Sequence, residues 1–331
     1  MKTAVIFGGT GFIGSHLALH ILAENLYDQI ILADIKPIRD DFKFDTSKVK
    51  YIHLDVRKPV EEWSLPIENI GLIANFAAIH REPGHHPNEY FETNIPGAQN
   101  VCDWAEKVEC KQIIFTSSIA PYGSSESLKN ENTIPTPQTA YGSSKLAAEK
   151  IHKAWEKAGD QCRLVIVRPG VVFGPGEGGN VTRLVQATMR HYFFYMGNKN
   201  TRKAGGFVKE LVRSMFWAFD QIPQSGCYLY NFTMPSAPTI QDYVNIVCKV
   251  ANVKRIVPSL PYRVLLPLSY LIEWSTTPLG IKQPINPVRI KKLRRSNNIE
   301  PMVLLRDGYP YHYTFETAMQ DWLKDRPDEW Q

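Results

Sequence analysis

The first half of the chain alternates short apolar runs with longer segments of helical period. Six runs, Thr3 to Phe7, Gln29 to Asp34, Lys50 to Val56, Ile70 to Ala78, Lys111 to Ser118 and Arg163 to Pro169, are dominated by Ile, Val, Leu, Phe and Ala. Runs of that length and character predict strands covered on both faces. The intervening segments, among them Ser15 to Asn25, Glu92 to Lys107 and Thr139 to Trp155, place apolar residues at helical spacing. Strands alternating with helices imply right-handed crossovers and a parallel, doubly wound α/β sheet. Beyond about Gly174 the pattern loosens. A helix is predicted from Phe207 to Phe219, a strand from Cys227 to Phe232, and helical segments over 239–252, 261–274, 287–295 and 315–325. The polar, proline-bearing stretch from Ser124 to Gln138 predicts a loop over the site.

A doubly wound sheet binds ligands at the carboxyl ends of its strands. The first strand runs into Gly8-Gly-Thr-Gly11-Phe12-Ile13-Gly14 and then a helix, the context a dinucleotide fingerprint requires, here spaced G-x-x-G-x-x-G. Gly8 permits the tight turn, Gly11 lets backbone donors approach a pyrophosphate, and Gly14 lets the helix pack close. Phe12 and Ile13 open that helix, where unpaired N–H groups and the dipole favour an anion. Asp34 ends the second strand, 20 residues past Gly14. A carboxylate there binds ribose hydroxyls and repels a 2′-phosphate, which favours NAD; Lys36 nearby leaves NADP open. Asp55 and Val56 end the third strand, beside the adenine, and the small Ala77 and Ala78 end the fourth. His80 and Arg81 follow and are expected to face substrate. Ser118 and Arg168 close the fifth and sixth strands.

Tyr141 and Lys145 lie four apart on a predicted helix and so share a face. A free tyrosine, with a pKa near ~10, is a poor base at neutral pH, and a cation beside it favours the phenolate. Tyr141 is therefore the expected general acid–base, with Ser118 hydrogen-bonding the same substrate oxygen.

The remaining composition narrows the classes. A net charge of +5 suits an anionic substrate, and no Lys/Arg run with interleaved aromatics points to nucleic acid. Five scattered cysteines fit free thiols in a reducing compartment, hence a cytoplasmic protein. His80, His85 and His86 match no standard ligand spacing, so no metal is expected. The start of the chain is too short an apolar run for a signal peptide, and no stretch reaches the ~18 apolar residues of a membrane span. Val264 to Trp274 comes nearest and reads as a buried helix, with a patch resting on a bilayer as the alternative.

The glycine turn, Asp34, Ser118, Tyr141 and Lys145, in this order, resemble the extended short-chain dehydrogenases/reductases, and within them the sugar-nucleotide epimerases and dehydratases. TSSIAPYG around Ser118, RPGVVFGPG after Arg168 and VKEL after GNKNTRK extend the likeness over the whole chain. The resemblance implies a Rossmann-type NAD-binding domain over 1–175, with 207–235 returning to it. A smaller, mostly helical substrate domain would be formed by 176–206 and 236–331. It implies Ser118, Tyr141 and Lys145 as catalytic residues, Lys145 and Tyr141 also touching the cofactor. Asn180, Lys203 and Arg289 would hold a substrate diphosphate; most members have Arg at the place of Lys203. The family's dehydratases carry Asp-Glu directly after the catalytic hydroxyl residue, where this chain has Ile119 and Ala120. What the resemblance implies is thus a retained NAD and reversible oxidation of a diphosphate-linked sugar, as in a 4-epimerase. NVTRLV, LPYRVLLPLSY and NPVRIKKL lean toward a polyprenyl-diphosphate carrier, with peripheral contact at the inner face of a membrane. The family implies a homodimer through the 91–108 and 141–158 helices. A dehydrogenase or reductase on a sugar or hydroxysteroid-like substrate, and a non-catalytic NAD-binding protein, remain as alternatives.

Overall fold

The computed structural model describes residues 2–82, 84–276 and 295–331. Its centre is a seven-stranded, wholly parallel sheet. In chain order the strands are β1 (Thr3–Phe7), β2 (Gln29–Asp34), β3 (Val49–His53), β4 (Ile70–Asn75), β5 (Gln112–Thr116), then, after an outlying β6 (Ser125–Lys129), β7 (Arg163–Pro169). The seventh is β11 (Gly226–Phe232), which follows the short β8 (Val171–Phe173), β9 (Tyr195–Met196) and β10 (Gly205–Phe207). The spatial order is β11-β7-β5-β4-β1-β2-β3. From β1 the chain first moves to β2 and β3, then returns to the other side at β4. That reversal opens a crevice at the carboxyl ends of β1 and β4, where ligands bind in such sheets.

Strand alternation explains why the central positions of these runs are apolar on both faces. In β1, Ala4 and Ile6 enter the core on one face of the sheet, while Val5 and Phe7 enter the core on the other. β7 divides in the same way, with Val165 and Val167 on the first face and Leu164 and Ile166 on the second. Helices α1 (Phe12–Ala23) and α5 (Val208–Asp220) supply the first face through Leu17, Ile21, Leu211 and Met215. Helices α2 (Pro87–Lys107) and α3 (Ala140–Ala158) supply the second through Val101, Trp104, Ala148 and Trp155. Truncating a fully buried member such as Leu17 or Ile6 to Ala costs about 2–5 kcal/mol.

A separate core joins Phe173, Phe207, Tyr243, Val247, Met319 and Trp322. It is built on α4 (Asn180–Met189), α6 (Ile240–Val250) and, after α7 (Tyr262–Thr276) and α8 (Met302–Arg306), on α9 (Phe315–Asp325). The short β12 (Ser259–Leu260) pairs with β9, and β13 (Asn297–Ile299) pairs with β6. The expected loop over 124–138 therefore contains a strand. Its sequence, SESLK, carries a single apolar residue, Leu128, which is exposed, so no periodicity marks it, and its partner comes from far along the chain. The predicted helix over 287–295 falls almost wholly outside the described residues, and Arg295 itself lies in a bend.

Candidate active site

The turn after β1 is closed to side chains. Gly8 sits at φ 72°, and a Cβ there would stand 2.6 Å from the Ala77 nitrogen. A Cβ on Gly14 would stand 2.6 Å from the Gly8 carbonyl oxygen. Gly11 is the N-cap of α1 and offers no capping side chain, so the first-turn N–H groups of Phe12 and Ile13 are left to an incoming anion. The Asp34 carboxylate flanks the same turn: Oδ2 accepts from the Thr10 N–H at 3.3 Å and Oδ1 from the Lys36 N–H at 3.1 Å. A bare backbone cradle, unpaired helix donors and a carboxylate beside them fit the pyrophosphate and ribose of a dinucleotide. Asp55 stands further along the strand ends, its carboxylate held by the Arg57 guanidinium at 2.6 Å. That pairing holds Asp55 below the usual carboxylate range. Val56 follows directly. Its side chain meets α2 at Gly97 and its carbonyl accepts from Asn100 at 2.8 Å, so helix packing occupies both.

Tyr141 opens α3, whose N-cap Thr139 accepts from the Gly142 N–H at 3.1 Å. The Tyr141 and Ser118 hydroxyls are hydrogen-bonded to each other, and Ser118 Oγ also accepts from the Ala120 N–H at 3.1 Å. Lys145 follows one turn later and is only 3% exposed, its ammonium 4.7 Å from the centre of the Phe115 ring. Burial draws Lys145 down to about 7, with Glu149 pulling the other way. Burial pushes the Tyr141 phenol up to about 12, opposed by the Ser118 hydrogen bond. The expected lowering of the phenol by Lys145 is thus not a property of the bare chain. The ammonium is itself desolvated, and the charge that supports it is Glu149.

Glu149 is the residue that the sequence analysis missed. It continues the face of Tyr141 and Lys145 by one more turn and is 2% exposed. Its Oε1 accepts from Arg168 Nε at 2.7 Å and from the Ser117 hydroxyl at 2.5 Å, and its Oε2 accepts from Arg168 Nη2 at 2.6 Å. Arg168 Nη1 donates to the Tyr122 hydroxyl at 2.7 Å, which donates to Asn231 Oδ1 at 3.0 Å. Arg168, expected at the cofactor, is instead committed to this buried network behind Lys145. A strand-end arginine and a helix glutamate cannot be matched by spacing alone. The available signal was a Glu four residues past Lys145 on a core-facing row. Asn94 on α2 is a further residue that the sequence did not single out. It accepts from the Ile79 N–H at 2.9 Å and donates to the Ser144 hydroxyl at 2.9 Å, pinning the segment after β4 to α3.

His80 and Arg81 are exposed beyond Ala77 and Ala78. His85 and His86 serve the start of α2: Glu89 accepts from the His86 N–H at 2.7 Å and contacts His85 Nδ1 at 2.9 Å. Asn180 starts α4 and accepts from Arg183 Nη2 at 2.7 Å. Lys203 precedes β10, is drawn down to about 8 by burial, and donates to the Arg295 carbonyl at 2.6 Å. Neighbouring Arg202 is turned to the Ala237 carbonyl at 2.7 Å. Arg289 lies outside the described residues.

Residues 4–229 match the NAD dependent epimerase/dehydratase family. The chain belongs to that family. The family's cofactor is NAD, in keeping with the glycine turn and Asp34. A relative from Escherichia coli O157:H7, N-acetyl-alpha-D-glucosaminyl-diphospho-ditrans,octacis-undecaprenol 4-epimerase, is 25% identical, with 97% of this chain and 94% of the relative aligned. A sterol-4-alpha-carboxylate 3-dehydrogenase (decarboxylating) from Candida albicans is 26% identical, with 98% of each chain aligned. Among solved structures, a UDP-N-acetylglucosamine 4-epimerase from Methanobrevibacter ruminantium M1 superposes with a TM-score of 0.75 at 18% identity, over 99% of each chain. That likeness extends the family fold over the whole length. Among the described residues no helix is long and apolar enough to cross a membrane.

Proposed function

We propose that this member of the family is an epimerase that inverts a ring carbon, C4, of a sugar carried on a diphosphate. The observation that carries this reading is the Ser118–Tyr141 hydroxyl pair one helical turn from buried Lys145, followed by Ile119 and Ala120. Neither of those two side chains can move a proton, so the elimination of a dehydratase has no agent. Bound NAD supplies a hydride acceptor and, later, the same hydride. Tyr141 takes the proton of the sugar hydroxyl and afterwards returns it, and Ser118 holds the same oxygen. Lys145, supported by Glu149, supplies the positive charge that favours the phenolate. Asp34 takes the ribose, and Asn180, Lys203 and Arg289 take the diphosphate, with His80 and Arg81 toward the sugar. A diphosphate would restore the charge that burial withdraws from Lys203.

The relative acting on an undecaprenol-linked sugar supports a polyprenol over a nucleotide as the carrier. On that reading the protein works in the cytoplasm against a membrane face. It would be a homodimer through the outer sides of α2 and α3, with 1–175 and 207–235 serving NAD and the remainder serving substrate. Turnover in deuterated water tests the chemistry. Inversion without deuterium at the inverted carbon is expected; deuterium there would overturn internal hydride return. The sterol dehydrogenase relative favours a second reading, oxidation of an alcohol with release of NADH. NADH accumulating in step with product would select it.

A further inference from the structure

Helix α7 is apolar on nearly every side, YRVLLPLSYLIEWST, yet it buries only a narrow row. Leu265 and Ser269 are 2% and 0% exposed, whereas the adjoining row of Val264, Leu268, Leu271 and Trp274 is 55%, 46%, 61% and 79% exposed. Those four positions fall at i, i+4, i+7 and i+10, one continuous stripe. Further exposed apolar residues stand near the strand that leads into the helix. β12 leads directly into α7 and pairs with β9, the Gly197 N–H donating to the Leu260 carbonyl at 2.9 Å. Beside that ladder, Tyr192 and Ile256 are 60% and 95% exposed on the rim of a surface cavity of about 540 Å³. The same cavity is lined by His191, Lys254 and Arg255.

The charge along this part of the sequence is equally one-sided. From Ala251 to Arg295 the sequence holds nine Lys and Arg against one Glu, while the rest of the chain holds 29 Lys and Arg against 32 Asp and Glu. The positive excess of the protein thus resides in the stretch that contains α7. Exposed Lys254 and Arg263 belong to the described part of it. An apolar stripe carrying Trp and Leu, bordered by cations, matches the headgroup–acyl boundary of an anionic bilayer. A second protein copy would explain the apolar row but not the accumulation of like charge, which would face itself across a twofold axis.

We propose that the Val264–Leu268–Leu271–Trp274 face of α7, continued by Ile256 and Tyr192, docks this protein onto an anionic phospholipid surface. This deepens the lipid-carried reading of the substrate and names the surface on which such a substrate would be met.

The test is sedimentation of the full chain with vesicles of phosphatidylglycerol and phosphatidylcholine in equal parts, against phosphatidylcholine alone. Binding to the anionic vesicles, weakened by salt, is expected. Leu271→Ser with Trp274→Ser should weaken it roughly tenfold, and Arg263→Glu should weaken it while leaving the apolar stripe whole. Circular dichroism melting of each variant establishes that it is folded. No sedimentation, or folded variants that sediment like the parent, overturns the proposal. So does a dimer in analytical ultracentrifugation that the double substitution dissociates while vesicles go unbound. The vesicles contain no sugar lipid, so failure here leaves the epimerase reading standing, and failure of that reading leaves docking standing.

Discussion

Helices α3 and α7 invert the usual relation between residue type and place. α3 is polar by composition, yet it buries Lys145, Glu149 and His152 against the sheet. α7 is apolar by composition, yet it leaves Leu271 and Trp274 in the open. Each arrangement is costly by itself, since a buried charge loses hydration and an exposed indole orders water. Such costs are expected where function competes with stability. In α3 the burial is compensated within the protein, by the bidentate Glu149–Arg168 pair and its hydrogen bonds. In α7 the exposed stripe has no such compensation among the described residues, and the proposed lipid surface would supply it.

The contrast can be broken at several strengths. Tyr141→Phe removes the proton carrier at the head of α3 and should lower kcat by about 10²–10⁴ while the fold and NAD binding persist, read by steady-state rates and cofactor fluorescence. Glu149→Leu strands the Arg168 guanidinium and should cost about 3–5 kcal/mol in a denaturant melt. Adding Arg168→Met should recover much of that stability but not the activity, because Lys145 then lacks its anionic support. A double variant as inactive and as unstable as the single one would mean that the pair is only structural.

A smaller effect is expected from pH. His16 and His152 are held neutral inside, burial drawing each from 6.5 to about 4. The folded state resists a proton that the unfolded chain accepts. Their contribution is therefore intact above pH 6.5 and is lost as pH falls toward 4. Each is worth about 3 kcal/mol at full extent. Melts across that window should steepen with both residues present and flatten in His152→Gln. Least of all should follow from Leu271→Ser in solution, within about 0.5 kcal/mol of the parent. A large loss of stability there would show that the α7 face is covered within the protein.

Much of the fold was readable because a strand buried on both faces must be apolar through its middle, and β1, β2, β4, β5 and β7 are, with their polar residues at or next to the ends. The glycine turn was readable because only glycine fits where a Cβ would strike Ala77 or Gly8. The strand over 125–129 escaped because its pairing is between polar segments, held by backbone bonds that leave no trace in side-chain pattern. Glu149 escaped for a related reason: its partner Arg168 is on another element, and Arg168 stood at a strand end where a cofactor contact is equally reasonable. The acidity of Tyr141 was inferred from the nearness of Lys145, and burial of both groups reverses that inference for the bare chain.

From sequence alone came the order of elements, the parallel sheet, the crevice and the Tyr141–Lys145 pair, because these follow from periodicity and from spacing along one helix, with Ser118 joined to them by its place at a strand end and by the family resemblance. Only the tertiary structure decided that Arg168 supports Lys145 through Glu149 rather than facing the cofactor, and that α7 turns its apolar stripe outward. Both depend on which surfaces meet across long separations in the chain. Local pattern carries no information about that, because desolvation and ion pairing are set by the neighbours that folding brings together.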